Sequence, residues 1–386
     1  MFESLRFKKK LEKSEIQARL DLVCKIITNL VDSELRGLNY FQVGFVKNID
    51  VRDSGQIEVS TDIPTPLHEI REHVEDRIRS ALVREGIRLK DIKISTDKDA
   101  NLFRPAKRSG GNANSSITNI IAFSSGKGGV GKSSLTGLTA AYLSRAGARV
   151  GILDADIYGP SVPRIFGLEG QLRSMEKDGK SWILPIEKDG LKFVSVGSMV
   201  PKDSAIVWRG PMLHKLLTQF SSDVDWGDLD YLLIDLPPGT GDVALSLAQL
   251  FPITGSVVVT SPQAASVEDV RKEVVMWKQL NVPILGIVEN FVDFECDSCG
   301  EKTKLFGSGG GQFLAQRFDL EFLMGIPMLP AIQKSLDLGN PYELIKNKTG
   351  LAYSLIREFS NKISKISAGL IAENRDPKEF ITLESN

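Results

Sequence analysis

The sequence predicts an α/β fold, in which a small N-terminal α+β domain precedes a larger domain built on a mostly parallel sheet. From residue 117 onward, apolar runs rich in Val, Ile and Leu alternate with longer helical stretches, as expected of strands covered on both faces. A glycine-rich loop directly follows the first run, and the segment before it has the composition of a linker. The predicted strands are residues 117–124, 150–154, 191–196, 231–235, 256–260 and 284–289.

The N-terminal domain is predicted over residues 1–103. A helix is expected to open at the capping-box pattern of Ser14 and Gln17, with apolar residues recurring along one side. Strands are predicted at 41–51, 56–61 and 92–95. Between the last two, Pro66 is expected to occupy the first position of a second helix. The two apolar stripes consist of Ile16, Leu20, Val23, Ile27 and Leu30, and of Ile70, Val74, Ile78 and Leu82.

Residues 104–116 read as a linker, because they are rich in Gly, Ser and Asn and show no apolar periodicity. The larger domain is therefore predicted over residues 117–386. Its last helical pattern, residues 351–371, is amphipathic and is expected to pack back on the sheet.

The charge balance gives no electrostatic reason to expect nucleic acid or a membrane surface as a partner. Lys and Arg total 48, Asp and Glu total 49, and the formal net charge of the 386 residues is −1. No apolar run is long enough to span a bilayer, and the first 13 residues lack the apolar core of a signal peptide. Three cysteines point to a reducing compartment, so a cytoplasmic location is expected. The histidines, His68, His73 and His214, have no metal or triad spacing.

The glycine-rich loop, GKGGVGKS at residues 126–133, fits the P-loop pattern GxxxxGK[ST] at every fixed position. It follows a predicted strand and precedes a predicted helix, which is the context that the motif requires. Its backbone N–H groups are expected to surround phosphate oxygens, with Lys132 on the β and γ phosphates and Ser133 on Mg²⁺. This predicts a P-loop NTPase. The expected nucleotide-binding residues are Gly126, Lys127, Gly128, Gly129, Val130, Gly131, Lys132, Ser133 and Ser134.

Two acidic motifs sit at strand ends, where ligands bind in parallel sheets. Asp235 ends the run 231–235 and is expected to hold Mg²⁺ directly or through water. Asp154 ends the run 150–154 and is expected to support the magnesium shell, whereas Asp156 is the better candidate to orient the attacking water. Spacing alone leaves the roles of these two interchangeable, and an Asp after a strand can also cap a helix.

Cys296 and Cys299 form a CxxC pair, which aims two thiolates at one metal centre. Two thiolates are half of a tetrahedral zinc site or of an iron–sulfur site. The remaining cysteine, Cys24, lies on the apolar stripe of the first helix and is expected in the core. A symmetric dimer would complete the site. A thioredoxin-type redox pair is the alternative, although such a pair is expected at the start of a helix.

Taken together, these motifs resemble the Mrp/ApbC family of iron–sulfur cluster carrier ATPases, in the MinD-like branch of P-loop proteins. The resemblance covers nearly the whole chain. Its most specific pieces are SGKGGVGKS (125–133), DADIYGPS (154–161), WRGPM (208–212), DYLLIDLPPGTGD (230–242), and VEN (288–290) followed by the CxxC pair.

The resemblance implies hydrolysis of ATP with Mg²⁺, a homodimer, and a cluster, commonly [4Fe–4S], that is bridged between subunits and delivered to apo-proteins. It implies that Lys127 crosses the dimer interface to the partner's nucleotide. It also implies that Asn290 and the region of Pro327 contact adenine. In many relatives a cysteine lies near a Thr-Pro turn of the small domain; here residues 62–68 hold none, so a docking role is expected for that domain.

Two other functions share part of this pattern. A MinD- or ParA-like positioning ATPase would use the same P-loop and acidic motifs, but it does not require CxxC and favours a basic amphipathic C-terminal helix. A zinc-stabilised regulatory protein would use ATP as a switch. The metal content of anaerobically purified protein separates this second alternative from a cluster carrier.

Overall fold

A computed structural model describes residues 11–32, 35–63, 71–96, 116–157, 159–177, 179–198, 210–296, 299–346 and 348–373. The chain divides into two compact units, Met1–Leu102 with Ser364–Asn386, and Phe103–Ile363. The predicted linker lies almost wholly outside the described residues. In the part of the chain that the structure describes, no helix is both long and apolar enough to cross a membrane.

The first unit pairs two helices with a small sheet. Its elements are α1 (Lys13–Thr28), β1 (Val31–Asp32), β2 (Leu38–Asn39), β3 (Val46–Val51), β4 (Ile57–Thr61), α2 (Arg71–Arg84) and β5 (Ile92–Thr96). β3 and β4 pair antiparallel, β4 and β5 pair parallel, and β1 and β2 form a separate antiparallel pair. Most of both predicted apolar stripes packs into one core, which includes Val23, Ile27, Val74, Ile78 and Leu82.

The start of the first helix differs from the prediction. The capping interaction joins Glu12 and Glu15 rather than Ser14 and Gln17: the Glu15 carboxylate accepts a hydrogen bond of 2.9 Å from the Glu12 N–H. Either glutamate or glutamine at the third helical position can accept the hydrogen bond from the N–H group of the N-cap residue. The predicted start of the second helix, at Pro66, lies outside the described residues.

The second unit contains the large sheet. Its strands are β6 (Ile117–Ser124), β7 (Val150–Asp154), β8 (Arg173–Lys177), β9 (Lys180–Leu184), β10 (Ile186–Lys188), β11 (Leu191–Ser195), β12 (Leu229–Asp235), β13 (Gly255–Thr260), β14 (Ile284–Glu295), β15 (Lys302–Thr303) and β16 (Phe322–Met328). Its helices are α3 (Lys132–Arg145), α4 (Val162–Ile165), α5 (Gly210–Ser222), α6 (Asp242–Leu250), α7 (Ala264–Gln279), α8 (Gly310–Phe318), α9 (Pro330–Asp337) and α10 (Glu343–Lys346).

The sheet has the order β10-β11-β7-β12-β6-β13-β14-β15, and β16 also pairs with β14. The pairs from β11 to β14, and the pair of β14 with β16, are parallel, whereas β10 and β15 are antiparallel additions at the ends. The α/β class predicted from the sequence is therefore confirmed. In the register, Asp235 lies opposite both Asp154 and Phe123, so the carboxyl ends of β6, β7 and β12 meet at one edge.

Several elements were not predicted. β16 pairs with β14, and β8 and β9 form a hairpin in which every residue is at least partly exposed. β14 is also longer than the predicted 284–289, and it runs on to Glu295, immediately before Cys296. Its outer half is only partly buried, which is why its sequence lacks the continuous apolar run that marks the inner strands.

The predicted C-terminal helix is α11 (Leu351–Glu373). Its first part packs against the sheet as predicted: the ring of Phe359 meets that of Phe123 in β6 edge to face, with centroids 6.4 Å apart. From Ser364 onward the helix belongs to the first unit, where Ala372 joins the core.

Candidate functional site

The glycine-rich loop connects β6 to α3, as the motif requires. Gly129 and Gly131 have φ of 81° and 87°, a region that residues with a side chain rarely adopt. Gly126 is required for a different reason, because a Cβ there would lie 2.5 Å from the backbone of Asp269 and Val270. Helix α7 therefore packs directly behind the loop and holds it in place.

A cavity of about 570 Å³ opens beside this loop, a volume in the range of small-molecule sites. The loop residues from Gly128 to Ser134 line one side, and Asp156 faces it from the end of β7. Asn290 and Phe291 of β14 and Pro327 of β16 also line the cavity. The residues predicted to contact adenine, Asn290 and Pro327, thus lie at the same cavity as the phosphate loop.

Lys132 is buried, with 6% of its side chain exposed, and its charge is paired inside the site. Its Nζ donates a hydrogen bond of 2.8 Å to Asp235 Oδ1, and Asp156 Oδ2 lies 3.9 Å away. The Thr136 hydroxyl, one helical turn after Lys132, donates to the same Asp235 oxygen at 3.1 Å. Thr136 was not predicted, although its spacing of four residues from the P-loop lysine could have indicated it.

The second oxygen of Asp235, Oδ2, is buried and has no hydrogen-bond partner among the described residues. A buried carboxylate oxygen without a partner is costly unless a cation or an ordered water satisfies it. Ser133 is half-buried, and its hydroxyl lies 3.4 Å from Lys132 Nζ. Hard oxygen donors of this kind suit Mg²⁺, so Ser133 and Asp235 fit the predicted metal role.

The two aspartates of the DAD motif occupy different environments. Asp154 is fully buried, and its carboxylate accepts hydrogen bonds from the N–H groups of Asp156 and Val162 and from the Ser195 hydroxyl. Burial, and then the charge of Asp235, raise the pKa of Asp154 to about 8. Asp156 instead lines the cavity. Asp156 therefore faces the cavity, whereas the hydrogen bonds of Asp154 fix the loop after β7.

A further buried carboxyl group, Glu273, lies behind the P-loop on α7. It is fully buried, and its neighbours include Trp277, whose indole N–H donates to the Ser124 hydroxyl at 3.0 Å. Burial raises the pKa of Glu273 to about 7, against the opposing effects of Ser124, Trp277 and Lys132. This carboxyl group was not predicted from the sequence, because Glu273 lies in an ordinary charged helical pattern.

The raised pKa of Glu273 predicts a pH-dependent stability. The folded chain binds a proton more tightly than the unfolded chain, so the free energy of unfolding falls as the pH rises from about 4.5 to about 7. We expect Glu273→Gln to be more stable than the wild type by about 1–3 kcal/mol at pH 8 and to lose most of this advantage at pH 5. Urea unfolding at both pH values measures this. Glu268→Gln, on an exposed position of α7, is the control, and an equal difference at both pH values would contradict the prediction.

The lysine that starts the loop, Lys127, is exposed, and its carbonyl accepts a hydrogen bond of 3.1 Å from the Ser125 hydroxyl. The Asn290 side chain of β14 also contacts the loop. Its Nδ2 donates to the Val130 carbonyl at 2.9 Å. Asn290 thus ties β14 to the P-loop within the chain.

The CxxC pair lies at the tip of a hairpin formed by β14 and β15. Phe294 and Glu295 pair with Thr303 and Lys302, and the Cys296 N–H donates to the Glu301 carbonyl at 3.0 Å. Cys296 is half-buried and Cys299 is exposed. Over the ranges that the structure describes, no group of three or more His, Cys, Asp or Glu side chains could hold a metal ion. The two cysteines do not lie at a helix start, which is where a thioredoxin-type pair is expected.

Comparison with known proteins relates this chain to a defined family. The family model for ParA, described as NUBPL iron-transfer P-loop NTPase, matches residues 116–364. The iron-sulfur cluster carrier protein of Helicobacter pylori is 33% identical over 337 residues, covering 86% of this chain and 90% of that protein. The protein of the same name from Escherichia coli K12 is 40% identical over 309 residues, covering 80% of this chain and 82% of that protein.

A solved structure is similar as well. The nucleotide-binding protein of Archaeoglobus fulgidus, in complex with ADP, is 40% identical and superposes with a TM-score of 0.53, covering 60% of this chain and 90% of that one. The likeness agrees with a nucleotide site beside the P-loop.

Proposed function

The chain belongs to the NUBPL iron-transfer P-loop NTPase family, and on this premise we propose that it is an ATPase that binds an iron–sulfur cluster and transfers it to apo-proteins. The observation that carries the proposal is the position of the CxxC pair. Cys296 directly follows β14, the strand whose Asn290 and Phe291 line the nucleotide cavity. The relatives that share this chain's length carry the name iron-sulfur cluster carrier protein, which supports the same function.

The residues of the cavity suggest how ATP is handled. The loop N–H groups and the N-terminus of α3 would hold the phosphates, and Lys132 would leave Asp235 to pair with the β and γ phosphates. Ser133 and Asp235 would hold Mg²⁺, which neutralises charge on the phosphates when bound. Asp156, at the cavity wall, would orient the attacking water.

The cluster would be held by two chains. One chain offers two cysteines in this hairpin, whereas iron–sulfur clusters are usually held by four. A twofold dimer supplies the other pair, so we propose a homodimer with a bridged cluster, of the [4Fe–4S] type. The thiolates must stay reduced for this chemistry, which favours the cytoplasm.

The same dimer gives Lys127 a role. We propose that this exposed lysine reaches the partner's phosphates and stabilises the charge that develops during hydrolysis. The variants Lys127→Ala and Asp156→Ala should each be inactive alone. Mixed in equal amounts with subunit exchange, they should recover about a quarter of the wild-type rate, since half of the dimers then hold one complete site of two. Absence of recovery in demonstrated mixed dimers would contradict action across the interface.

The function is tested by anaerobic reconstitution with iron and sulfide, followed by transfer. The loaded protein should show iron and sulfide by chemical analysis. It should also restore the activity of an apo-enzyme that needs a [4Fe–4S] cluster, at a rate that depends on ATP. Zinc in place of iron in anaerobically purified protein, with no transfer, would favour a zinc-stabilised regulatory protein instead.

A further inference from the structure

Phe291 has a backbone conformation that is unusual for a bulky residue. Its φ is 64°, in the left-handed region, yet it lies inside β14. The other non-glycine residues with positive φ that the structure describes are polar or charged: Arg36, Asp189, Asn281, Asp319 and Lys348. The pairing of β14 with β16 also shifts register between Asn290 and Phe294. A strained residue at a break in the ladder therefore separates the inner half of the strand from the cysteine hairpin.

On the inner side, this strained position touches the P-loop. A Cβ on Gly131 would lie 2.2 Å from Asn290 Nδ2 and 3.5 Å from Phe291 Cζ, so both side chains pack against the residue immediately before α3. The Asn290 amide links the two elements, because its nitrogen donates to the Val130 carbonyl and its oxygen accepts from the Phe291 N–H at 3.1 Å. Phosphates that draw the loop N–H groups inward would act directly on this contact.

On the side of the cysteine hairpin, the Phe291 ring contacts the segment that follows β15. Its centroid lies 6.4 Å from that of Phe306, at an interplanar angle of 60°, which is an edge-to-face pair. Phe306 follows β15, the strand that pairs with Phe294 and Glu295 just before Cys296. The Phe291 ring therefore lies close both to Gly131 of the nucleotide loop and to Phe306, which follows the cysteine hairpin.

We propose that Phe291 is the switch that couples nucleotide occupancy of the cavity to the position of Cys296 and Cys299. This inference rests on the proposed function, because it states how ATP would control the binding of the cluster by the two cysteines. A residue held in the left-handed region has an extended alternative, and its surroundings decide between the two. Bound nucleotide shifts Gly131 and Asn290, which pack against Phe291. The contact between the rings of Phe291 and Phe306 transmits this shift to the cysteine hairpin. The coupling is reciprocal, so metal on the cysteines alters nucleotide affinity by the same factor.

The test uses full-length, reduced protein without a cluster. The rate at which iodoacetamide alkylates Cys296 and Cys299 is followed by peptide mass mapping, with and without saturating Mg-ADP or a non-hydrolysable ATP analogue. In the wild type, nucleotide should change this rate by about fivefold or more. Phe306→Ala should bring the ratio close to one while nucleotide still binds. Phe313→Ala, which truncates an exposed phenylalanine of α8, should keep the wild-type ratio.

Two further variants and one matched control guard against misfolding. Phe306→Leu keeps most of the apolar volume but not the ring edge, and it should also lose the response. Phe291→Gly adopts the positive φ without strain and should lose it as well, whereas Asn281→Gly, at another positive φ, should not. An unresponsive wild type, or a full response in Phe306→Leu, overturns the proposal. Cluster transfer is measured in a separate experiment. If the protein transfers a cluster but nucleotide does not change the alkylation rate of its cysteines, only the switch is refuted. If nucleotide changes the alkylation rate but the protein binds no cluster, only the proposed function is refuted.

Discussion

Replacing Lys132 with alanine should lower the rate of ATP hydrolysis by about a hundredfold or more, because the charge that stabilises the transferring phosphoryl group is lost. The rate is measured as phosphate release at saturating ATP. Lys272→Ala, which removes an exposed lysine of α7, serves as the control and should keep the wild-type rate. Wild-type hydrolysis by Lys132→Ala would show that the nucleotide site is misassigned.

The same substitution should also destabilise the nucleotide-free protein. Lys132 is the cation that pairs with buried Asp235 at 2.8 Å, and removing one partner of a buried ion pair costs about 3–5 kcal/mol. Adding Asp235→Asn to Lys132→Ala should restore much of the unfolding free energy without restoring hydrolysis. This double variant separates lost chemistry from lost folding.

Replacing Cys296 or Cys299 with serine should abolish cluster binding, because each change removes two of the four thiolates of a bridged site. Reconstituted wild-type protein should be a dimer with the visible absorbance and the iron and sulfide of one cluster. Each variant should fall to the background of protein treated with iron alone. Size-exclusion chromatography with metal analysis of the same fractions gives both quantities.

Cys24→Ser is the matched control and should retain the cluster. Cys24 lies on α1, packs against the core of the first unit, and has a pKa raised by burial and by the nearby charge of Asp21. A thiol held in this state is a poor metal ligand, because the thiolate is the form that binds. A stable cluster on a strict monomer, or one that survives the loss of Cys296, would rule out the bridged site.

Features that depend on local chemistry could be predicted from the amino-acid sequence. Local patterns predicted the P-loop, the strands that end at Asp154 and Asp235, and the CxxC pair. This was possible because turn glycines and buried apolar runs are short-range features of a sequence. The rule that parallel strands end at one edge was enough to predict that the acidic residues lie near Lys132. Family resemblance then supplied the function, which the comparisons support.

The contacts between groups across the sheet became known from the three-dimensional fold. The hydrogen bonds from Lys132 and Thr136 to Asp235, the burial of Asp154 against the cavity position of Asp156, and the strain at Phe291 all depend on contacts between segments far apart in the chain. β16 and the outer half of β14 escaped prediction for the same reason, since pairing with other strands rather than local pattern makes them strands. Side-chain spacing along one chain cannot encode such encounters, because register and packing between elements fix them.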